Sequence, residues 1–342
     1  MNKTGMEIFS QYEALQQSIA YLDKSNENGS ITSLLESRKN IVFIGCGSSY
    51  SITKSAEKTL RRYGKNDVFA FPAGDVLVNT EEYLGIFKDA LIVVPSRSGQ
   101  TSEIILALNK IKKKQDVSVL SISMVKDSPI GNMSDMSLEF PWAFDESVCQ
   151  TRNVTNLYTV LLYLVGLITS QPSIIDEIKQ MADFGPSYMK VHADQIKSIA
   201  GKSWTNAVVL ADGVVEGIAE EGALAFKEIC QLPSNHFNLL DSRHGPAVLF
   251  DESTLILFFI SDLEDELQSN LVKDYLKKGS IIIAAGGNYP GVDLCIPLPK
   301  VKHREVLGIP FIFIPQLLSL EKALSLGVDP DNPTDLSPWI KL

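Results

Sequence analysis

Short runs of β-branched and other apolar residues recur along this chain, and they constrain its fold more than any other feature. The runs occupy residues 40–44, 90–94, 118–123 and 136–140 in the first half, and residues 207–211, 254–260, 280–285 and 294–298 in the second. Unbroken apolar runs of this length are typical of strands that a parallel sheet buries on both faces. Polar turns and helically spaced apolar residues follow several of them. The alternation predicts an α/β fold built from layers of sheet and helix.

The runs of the two halves correspond at a nearly constant offset. The offset is 166 residues between Gly45 and Ala211, 165 between Val94 and Phe259, and 162 between Ser118 and Ser280. Self-similarity at a fixed period is the sequence signature of a duplicated structural unit. We therefore predict two tandem domains, each a mostly parallel sheet flanked by helices in a three-layer αβα arrangement.

The patterning also predicts where these domains begin and end. We place the first domain at residues 39–172 and the second at residues 195–325, with the boundary in a helical stretch between Pro172 and Ser203. A segment at residues 1–38 has apolar residues at helical spacing and is predicted to be helical. The tail at residues 326–342 carries three prolines, which exclude a helix there, so we expect it to lie across another surface.

The charge balance excludes some classes of partner. The chain has 31 basic and 41 acidic residues, a net charge of −10, whereas nucleic acid is bound by clustered Lys and Arg. The apolar stretch at residues 160–168 is about half of the roughly 20 residues that cross a bilayer. A secretory signal requires an apolar run after its basic N-terminal residues, and no such run follows Lys3. We expect a cytoplasmic protein with no nucleic-acid or membrane partner.

The cysteines indicate neither a metal site nor a disulfide framework. Cys46, Cys149, Cys230 and Cys295 lie far apart and form no C-x-x-C pair, the spacing that zinc sites use. We expect four reduced thiols and no bound metal.

Hydroxyl residues follow the second strand run, where that strand gives way to a helix. The segment reads Ser96-x-Ser98-Gly99-x-Thr101. A helix N-terminus offers unpaired N–H groups and a positive partial charge, and Gly99 allows close approach of the backbone. The alternative is that the hydroxyls only cap the helix, but a cap needs one hydroxyl and three are present. The segment therefore predicts a phosphate-binding turn.

Gly45-Cys46-Gly47-Ser48-Ser49 forms a similar turn after the first strand run. On its own the signal is weak, because glycines after a first strand are common in α/β folds. The third glycine and the acidic residue of a dinucleotide-binding motif are missing, so we expect no nucleotide cofactor.

The second half carries titratable residues instead. Residues 216–228 are predicted to be helical, with Glu221, Ala225 and Glu228 along one face. His244 stands beside Gly245 and Pro246, in a turn. A solvated acidic stripe and a structural turn histidine are the alternatives, and His236 is the next candidate histidine. A carboxylate and an imidazole in one sugar-phosphate pocket suit proton transfer beside a carbonyl group.

Taken together, these motifs resemble the tandem sugar isomerase (SIS) family. The motifs are Ile44-Gly45-Cys46-Gly47-Ser48-Ser49-Tyr50, Ser96-Arg97-Ser98-Gly99-Gln100-Thr101, Glu221-Gly222-Ala223-Leu224-x-x-Lys227-Glu228 and His244-Gly245-Pro246, in the family's order. The likeness runs from Arg38 to the tail. It is to the isomerase half of glucosamine-6-phosphate synthase and to stand-alone relatives: glucosamine-6-phosphate deaminases, fructosamine-6-phosphate deglycases and tagatose-6-phosphate ketose/aldose isomerases.

The resemblance implies a set of site residues. The positions implied to contact the substrate are Cys46, Gly47, Ser48, Ser49, Ser96, Arg97, Ser98, Thr101, Gln150 and Glu221. Among them the hydroxyls after the second strand hold the phosphate, with the backbone N–H of Arg97. By the same resemblance, Glu228 is expected to be the catalytic base that moves a proton between C1 and C2. His244 is expected to reach in from a neighbouring subunit and to open the sugar ring, which implies a homodimer with a shared active site.

Several positions depart from the synthase pattern. Asn2 stands where a glutaminase has its cysteine nucleophile, so we expect no glutamine amidotransferase activity. Ala225 replaces a helix lysine, and the tail reads Leu336-Ser337-Pro338 where the synthase has a Schiff-base lysine, with Lys341 as a distant substitute. Gln150 replaces a serine that borders the sugar, and Gln150 or Arg152 could recognise the distal part of the substrate.

We therefore expect a metal-free, cofactor-free enzyme that acts on a phosphorylated amino sugar or ketosamine. Without a lysine to hold a ketose, loss of an amine by a deaminase or deglycase reaction is favoured over aldose–ketose isomerisation. An isomerase of hexose 6-phosphates and a non-catalytic sugar-phosphate sensor are the alternatives.

Overall fold

The structure is a computed structural model that describes residues 2–65, 67–260, 265–340 and 342. Its contacts divide the chain into two compact units. The N-terminal unit comprises the described part of residues 10–146, 150–183 and 337–342. The C-terminal unit comprises the described part of residues 1–9, 147–149 and 184–336. Each unit thus includes a segment from the opposite end of the chain.

Helices and strands alternate through both units. The described helices are α1 (Lys3–Phe9), α2 (Gln11–Ser25), α3 (Ser30–Leu35), α4 (Ser48–Arg62), α5 (Ala73–Val78), α6 (Thr80–Phe87), α7 (Ser102–Lys112), α8 (Pro129–Asn132), α9 (Arg152–Ile168), α10 (Pro172–Ala200), α11 (Glu216–Ile229), α12 (Asp265–Leu276) and α13 (Gly308–Leu326). The described strands are β1 (Asn40–Gly45), β2 (Val68–Pro72), β3 (Ala90–Ser96), β4 (Ser118–Ser123), β5 (Met136–Glu139), β6 (Asn206–Leu210), β7 (Ser234–Phe237), β8 (Thr254–Phe259), β9 (Ile281–Ala285) and β10 (Leu294–Ile296).

The N-terminal unit is built on a parallel sheet, which in the described residues has five strands in the order β2-β1-β3-β4-β5. The central strand β3 is buried along its whole length. Alternate residues of β1 and β3, among them Val42 and Val94, pack against α5 and α7, while α4 contacts β1 and β2 and packs on α9. Helices therefore flank the sheet, because side chains alternate between its faces.

The C-terminal unit repeats this topology. Its sheet, over the same described ranges, is parallel and has the order β7-β6-β8-β9-β10. Strands β6, β8 and β9 thus take the places that β1, β3 and β4 hold in the first sheet. The predicted α/β fold and its duplication are confirmed.

One helix of the C-terminal unit has the composition of a membrane span. By length and hydropathy, residues Arg304–Leu326 could cross a bilayer, but 89% of their most apolar window is buried inside the protein. In this fold α13 is a core helix that packs on α11, and Gly222 of α11 faces the ring of Pro315. Its apolar composition is explained by that burial.

The sequence patterns missed one strand in each sheet. Strand β2 is half-exposed along most of its length, and β7 is short and polar. Each is an edge strand of its sheet: β2 pairs with β1, and β7 pairs with β6. The predicted end of the strand at residues 254–260 also reached towards Ser261, which lies outside the described residues.

Asp331 joins two distant segments within the C-terminal unit. Its carboxylate accepts hydrogen bonds from the backbone N–H of Lys3 (2.9 Å) and from both the N–H and the hydroxyl of Thr4 (2.8 Å each). Its own carbonyl accepts the N–H of Val148 at 3.1 Å. Burial alone would raise the pKa of Asp331, but these hydrogen bonds together lower it below its ordinary value. The ionised side chain therefore stabilises the folded unit.

We expect Asp331→Asn to destabilise the protein by about 1.5–3 kcal/mol at pH 7, the range for hydrogen bonds to a charged group. Because the folded-state pKa is depressed, the wild-type advantage is complete above the unfolded-state value near 3.8 and is lost as the pH falls through the folded-state value. Urea-unfolding midpoints of wild type and variant should differ at pH 7 and converge in acid. Asp194→Asn, at an exposed position of α10, is the control and should leave the midpoint unchanged.

Candidate functional site

The turns after β1 and β3 lie at one edge of the N-terminal sheet. The two strands are parallel neighbours, with Phe43 opposite Val93, so their carboxyl ends meet at that edge. After β1 the chain adds β2 on one side of that strand, and it then crosses to add β3 on the other side. In sheets of this order, ligands bind in the crevice beside such a switch point. The structure thus brings together the two turns that the sequence singled out.

The hydroxyls of the turn after β3 are arranged to donate. Ser96 Oγ accepts the N–H of Gly99 at 3.1 Å, and Ser98 Oγ accepts the N–H of Gln100 at 3.3 Å. Each O–H group can then donate outward, since a hydroxyl both accepts and donates. Thr101 occupies the N-cap position of α7, yet its side chain makes no capping hydrogen bond. The helix-cap alternative is therefore not what the structure shows.

Gly99 holds this turn in a shape that a larger residue cannot take. Its φ is +60°, in the left-handed region. A Cβ at this position would lie 2.2 Å from Ser128 Oγ and 2.3 Å from Ser128 Cβ. The carbonyl of Gly99 also accepts the N–H of Ile130 at 2.9 Å. The segment before α8 is therefore seated directly on the turn.

Ser128 is a residue of this region that the sequence reasoning missed. It caps α8 by accepting the N–H of Gly131 at 3.1 Å, and it is buried against Gly99. Strand β4, whose last residue Ser123 lies opposite Ser96, leads into it. The Ser-Pro step at residues 128–129 signals a helix start, but nothing local to it indicates which turn it contacts.

The turn after β1 presents backbone groups and buried hydroxyls. Gly47 has φ +51° and precedes Ser48 and Ser49, which open α4 and are buried. A Cβ on Gly45 would come within 2.8 Å of the backbone of the same helix. Burial, followed by the nearby charge of Glu103, raises the pKa of the half-buried Cys46 thiol to about 12. The Cys46 thiol is therefore neutral at physiological pH and is not an activated nucleophile.

Arg97 uses its side chain for a contact that the sequence did not predict. Its guanidinium Nη2 donates to the carbonyl of Pro338 at 2.5 Å, within the N-terminal unit. Arg97 is only 4% exposed. The tail position implied to hold a lysine in the synthase is thus Pro338, and its backbone lies at the end of the Arg97 side chain. Lys341, the suggested substitute, lies outside the described residues.

Gln150 and Arg152, the two candidates for recognising the distal part of the substrate, differ in their contacts. Arg152 donates to Ser10 Oγ at 3.1 Å and to the carbonyl of Phe144, and it lies 3.4 Å from the carboxylate of Asp145. Gln150 is half-buried, and its side-chain oxygen accepts from Asn153 Nδ2 at 2.6 Å. Arg152 is engaged in holding its own unit together, which favours Gln150.

The acidic residues of the C-terminal unit are not a solvated stripe. Glu221 lies in α11 and is 3% exposed, and Glu228 is half-buried in the last turn of the same helix. Gly222 permits the close approach of α13 to this helix, because a Cβ there would lie 3.0 Å from Pro315. The solvated-stripe alternative therefore does not describe Glu221, and Glu228 is partly protected from solvent.

His244 lies in the loop between β7 and β8 and is exposed. Its backbone N–H is held by the carbonyl of Asp241 at 2.8 Å, and Gly245 follows with φ +119°. Two apolar side chains in the next turn are strongly exposed, Val248 at 80% and Leu249 at 76%. His236, the next candidate histidine, is half-buried in β7.

Comparison with known proteins identifies a matching domain family and several relatives of this chain. A sequence model described as SIS domain matches residues 34–165. The chain is 27% identical over 322 residues to a glutamine–fructose-6-phosphate aminotransferase of Pectobacterium atrosepticum, and the matched region covers 89% of this chain and 52% of that protein. It is 25% identical over 363 residues to the Wigglesworthia glossinidia enzyme of the same name, covering 98% of this chain and 57% of the other. The chain thus spans about half the length of the curated relatives it matches.

Solved structures match over the whole chain. A glucosamine-6-phosphate deaminase from Thermotoga maritima is 25% identical with a TM-score of 0.83, and each chain covers 100% of the other. At lower identity the same fold occurs in a tagatose-6-phosphate ketose/aldose isomerase from Escherichia coli (20%, TM-score 0.85, covering 99% of this chain and 96% of that one). Residues 34–165, which carry the motif-bearing turns on the sheet edge, thus match the SIS domain family, and the chain as a whole is similar to the relatives named above.

Proposed function

We propose that this protein is a cytoplasmic enzyme that removes an amine from a phosphorylated amino sugar or ketosamine, as a deaminase or deglycase. The observation that carries the proposal is the turn after β3, in which Ser96, Ser98 and Thr101 keep hydroxyl donors free beside a helix N-terminus. An anion is the ligand that such a turn favours. The name of the Thermotoga maritima relative, a glucosamine-6-phosphate deaminase, supports a phosphorylated amino sugar as that ligand.

In the proposed mechanism the carboxylate of Glu228 acts as the base. His244 assists opening of the sugar ring. Glu228 then takes the proton from C2 of an amino aldose or from C1 of a ketosamine, which gives an enolamine. Return of a proton to the neighbouring carbon yields an imine, and addition of water releases the amine and leaves a hexose 6-phosphate. General acid–base steps of this kind contribute about 10²–10⁴-fold to a rate.

The substitutions at two positions favour amine loss over the other reactions of the family. Ala225 stands on α11 one turn before Glu228, and Pro338 stands in the tail. The resemblance implies a lysine at each of these positions in the synthase, and it assigns to the tail lysine a Schiff base with the open sugar, which Pro338 cannot form. The proposed chemistry needs a carboxylate and an imidazole, and both are present.

Turnover tests the proposal directly. The purified chain is offered glucosamine 6-phosphate and a fructosamine 6-phosphate, and ammonia or free amine is measured together with the hexose 6-phosphate formed. We expect amine release from at least one of them. Interconversion of fructose 6-phosphate and an aldose 6-phosphate without amine release would show the isomerase instead. Binding of sugar phosphates in calorimetry without any turnover would show a sensor.

We further propose that the enzyme works as a homodimer in which His244 serves the partner's site. The exposed His244, Val248 and Leu249 form one segment of the C-terminal unit. Large apolar side chains left in water at such high exposure mark interaction surfaces when they are contiguous. A second copy of this chain would cover them and would carry the adjacent histidine along.

Changing both Val248 and Leu249 to aspartate is therefore expected to yield a monomer and to lower kcat at least tenfold, because two charges buried at a subunit interface cost more than the contact contributes. Light scattering coupled to size exclusion measures the mass, and the same fractions are assayed. The control is Val78→Asp, at an exposed position of α5 in the N-terminal unit. A double variant that stays dimeric and active would contradict the assignment of this surface.

A further inference from the structure

A role in the phosphate-binding turn accounts for the backbone of Arg97 but not for the position of its side chain. The backbone of Arg97 belongs to the turn, where its carbonyl accepts the N–H of Met124 at 3.2 Å. Its guanidinium reaches the chain's tail and donates from Nη2 to the carbonyl of Pro338 at 2.5 Å. A hydrogen bond between residues 241 positions apart in the chain thus joins the predicted anion site to the C-terminal tail.

Arg97 therefore takes part in two structures at once. Its backbone belongs to the turn that is proposed to bind the anion, and its side chain is hydrogen-bonded to the tail. A displacement of the tail is transmitted to the turn through this one residue.

We propose that Arg97 is a positioning residue that tethers the tail to the phosphate turn, so that tail order and sugar-phosphate binding reinforce each other. The inference rests on the proposed function for the identity of the anion. The tether itself is a property of the protein without ligand. Coupling between the two is reciprocal, since whatever strengthens one equilibrium strengthens the other by the same factor.

The tail carries a natural reporter of this tether. Trp339 follows Pro338 directly and is half-buried, whereas Pro338 and Ile340 on either side are exposed. Release of the Pro338 carbonyl would let the indole move into water. Of the other tryptophans, Trp142 donates from Nε1 to Ser18 Oγ and Trp204 is buried. The fluorescence of a Trp339→Phe variant comes from Trp142 and Trp204 alone, and subtracting it from the total isolates the signal of Trp339.

The first experiment measures acrylamide quenching of Trp339 in the ligand-free protein. We expect Arg97→Gln to raise quenching towards that of an exposed indole, and Arg97→Lys to restore part of the protection because it keeps a cationic donor. The matched control is Arg38→Gln. Arg38 lies in the same unit and donates to Asp116 and Ser118, at the opposite ends of the strands. Unchanged quenching in Arg97→Gln would overturn the tether.

The second experiment uses fructose 6-phosphate and inorganic phosphate as probes in calorimetry. We expect Arg97→Gln to weaken fructose 6-phosphate binding about tenfold, the worth of the one hydrogen bond that holds the tail to the turn. In turnover, KM should rise by a similar factor while kcat changes little, as when uniform binding energy is lost. A merely structural role would instead lower kcat and the melting temperature together.

The two experiments fail separately. If neither probe binds to the wild type, the proposed phosphate site is wrong, and the coupling to it is overturned as well, while the quenching result still decides the tether. If the probes bind and Arg97→Gln binds them as tightly as wild type, the coupling is overturned and the proposed function stands.

Discussion

Glu228→Gln is expected to lower kcat by about 10²–10⁴-fold, the contribution of a positioned general base. The substitution keeps the size and hydrogen-bonding oxygen of the side chain but removes the group that takes the proton. The residue is half-buried in the last turn of α11, on the face that also carries the buried Glu221. Binding of fructose 6-phosphate should change little, because the hydroxyls that we propose bind the phosphate follow a strand of the N-terminal sheet.

A second carboxylate on the same helix provides the control for this variant. Glu216 begins α11, and its carboxylate accepts from Asn238 Nδ2 at 3.0 Å, a bond that glutamine can keep. Glu216→Gln should therefore retain wild-type turnover. Stopped-flow or steady-state amine release with each variant, together with a melting temperature, separates loss of catalysis from loss of fold. A drop of less than tenfold in Glu228→Gln, with the fold intact, would remove Glu228 from the role of base.

The parts of the fold that the sequence predicted are those whose burial leaves an unbroken apolar pattern. Strands β3 and β8 are buried along their full length, so their sequences contain the long runs of Val, Ile, Leu and Phe that first indicated a parallel sheet. Because both sheets have the same topology, the runs also repeated at a constant offset. Duplication was therefore predictable without any knowledge of contacts.

The strands that were missed are short edge strands. Strand β7 reads Ser-Asn-His-Phe, and its middle residues are exposed or half-exposed. Its place is fixed by pairing with β6, for example between Val209 and His236. Such pairing depends on partners brought together by the fold, and a four-residue polar segment has no periodicity that could reveal it.

The candidate site divides in the same way. The hydroxyls of the turn after β3 and the helix that follows are contiguous in sequence, so a phosphate-binding turn could be predicted there from sequence alone. The contacts of Ser128 with Gly99 and of Pro338 with Arg97 join distant segments, and no local signal predicts them. Arg152 was suggested for recognition of the distal part because it is cationic, yet its guanidinium is engaged by Asp145 and Ser10.

Gly99→Ala is expected to abolish measurable binding of sugar phosphates and to lower kcat/KM at least a hundredfold. Two effects add at this position. The φ of +60° costs an L-residue roughly 1–2 kcal/mol, and the new methyl group would lie 2.2–2.3 Å from the side chain of Ser128. Either the turn or the segment before α8 must move, and the spacing of the Ser96, Ser98 and Thr101 hydroxyls is lost with it.

Two companion variants isolate the cause of that loss. Gly64 has φ +83° and nothing within 4 Å of a Cβ, so Gly64→Ala carries the backbone strain without the collision and should retain binding. Adding Ser128→Gly to Gly99→Ala removes the atoms that collide, and should recover part of the affinity in calorimetry with fructose 6-phosphate. Because the double variant keeps the left-handed strain, full recovery is not expected. Wild-type affinity in Gly99→Ala alone would show that the anion binds elsewhere, since no arrangement of this turn accommodates both that methyl group and Ser128 in its present place.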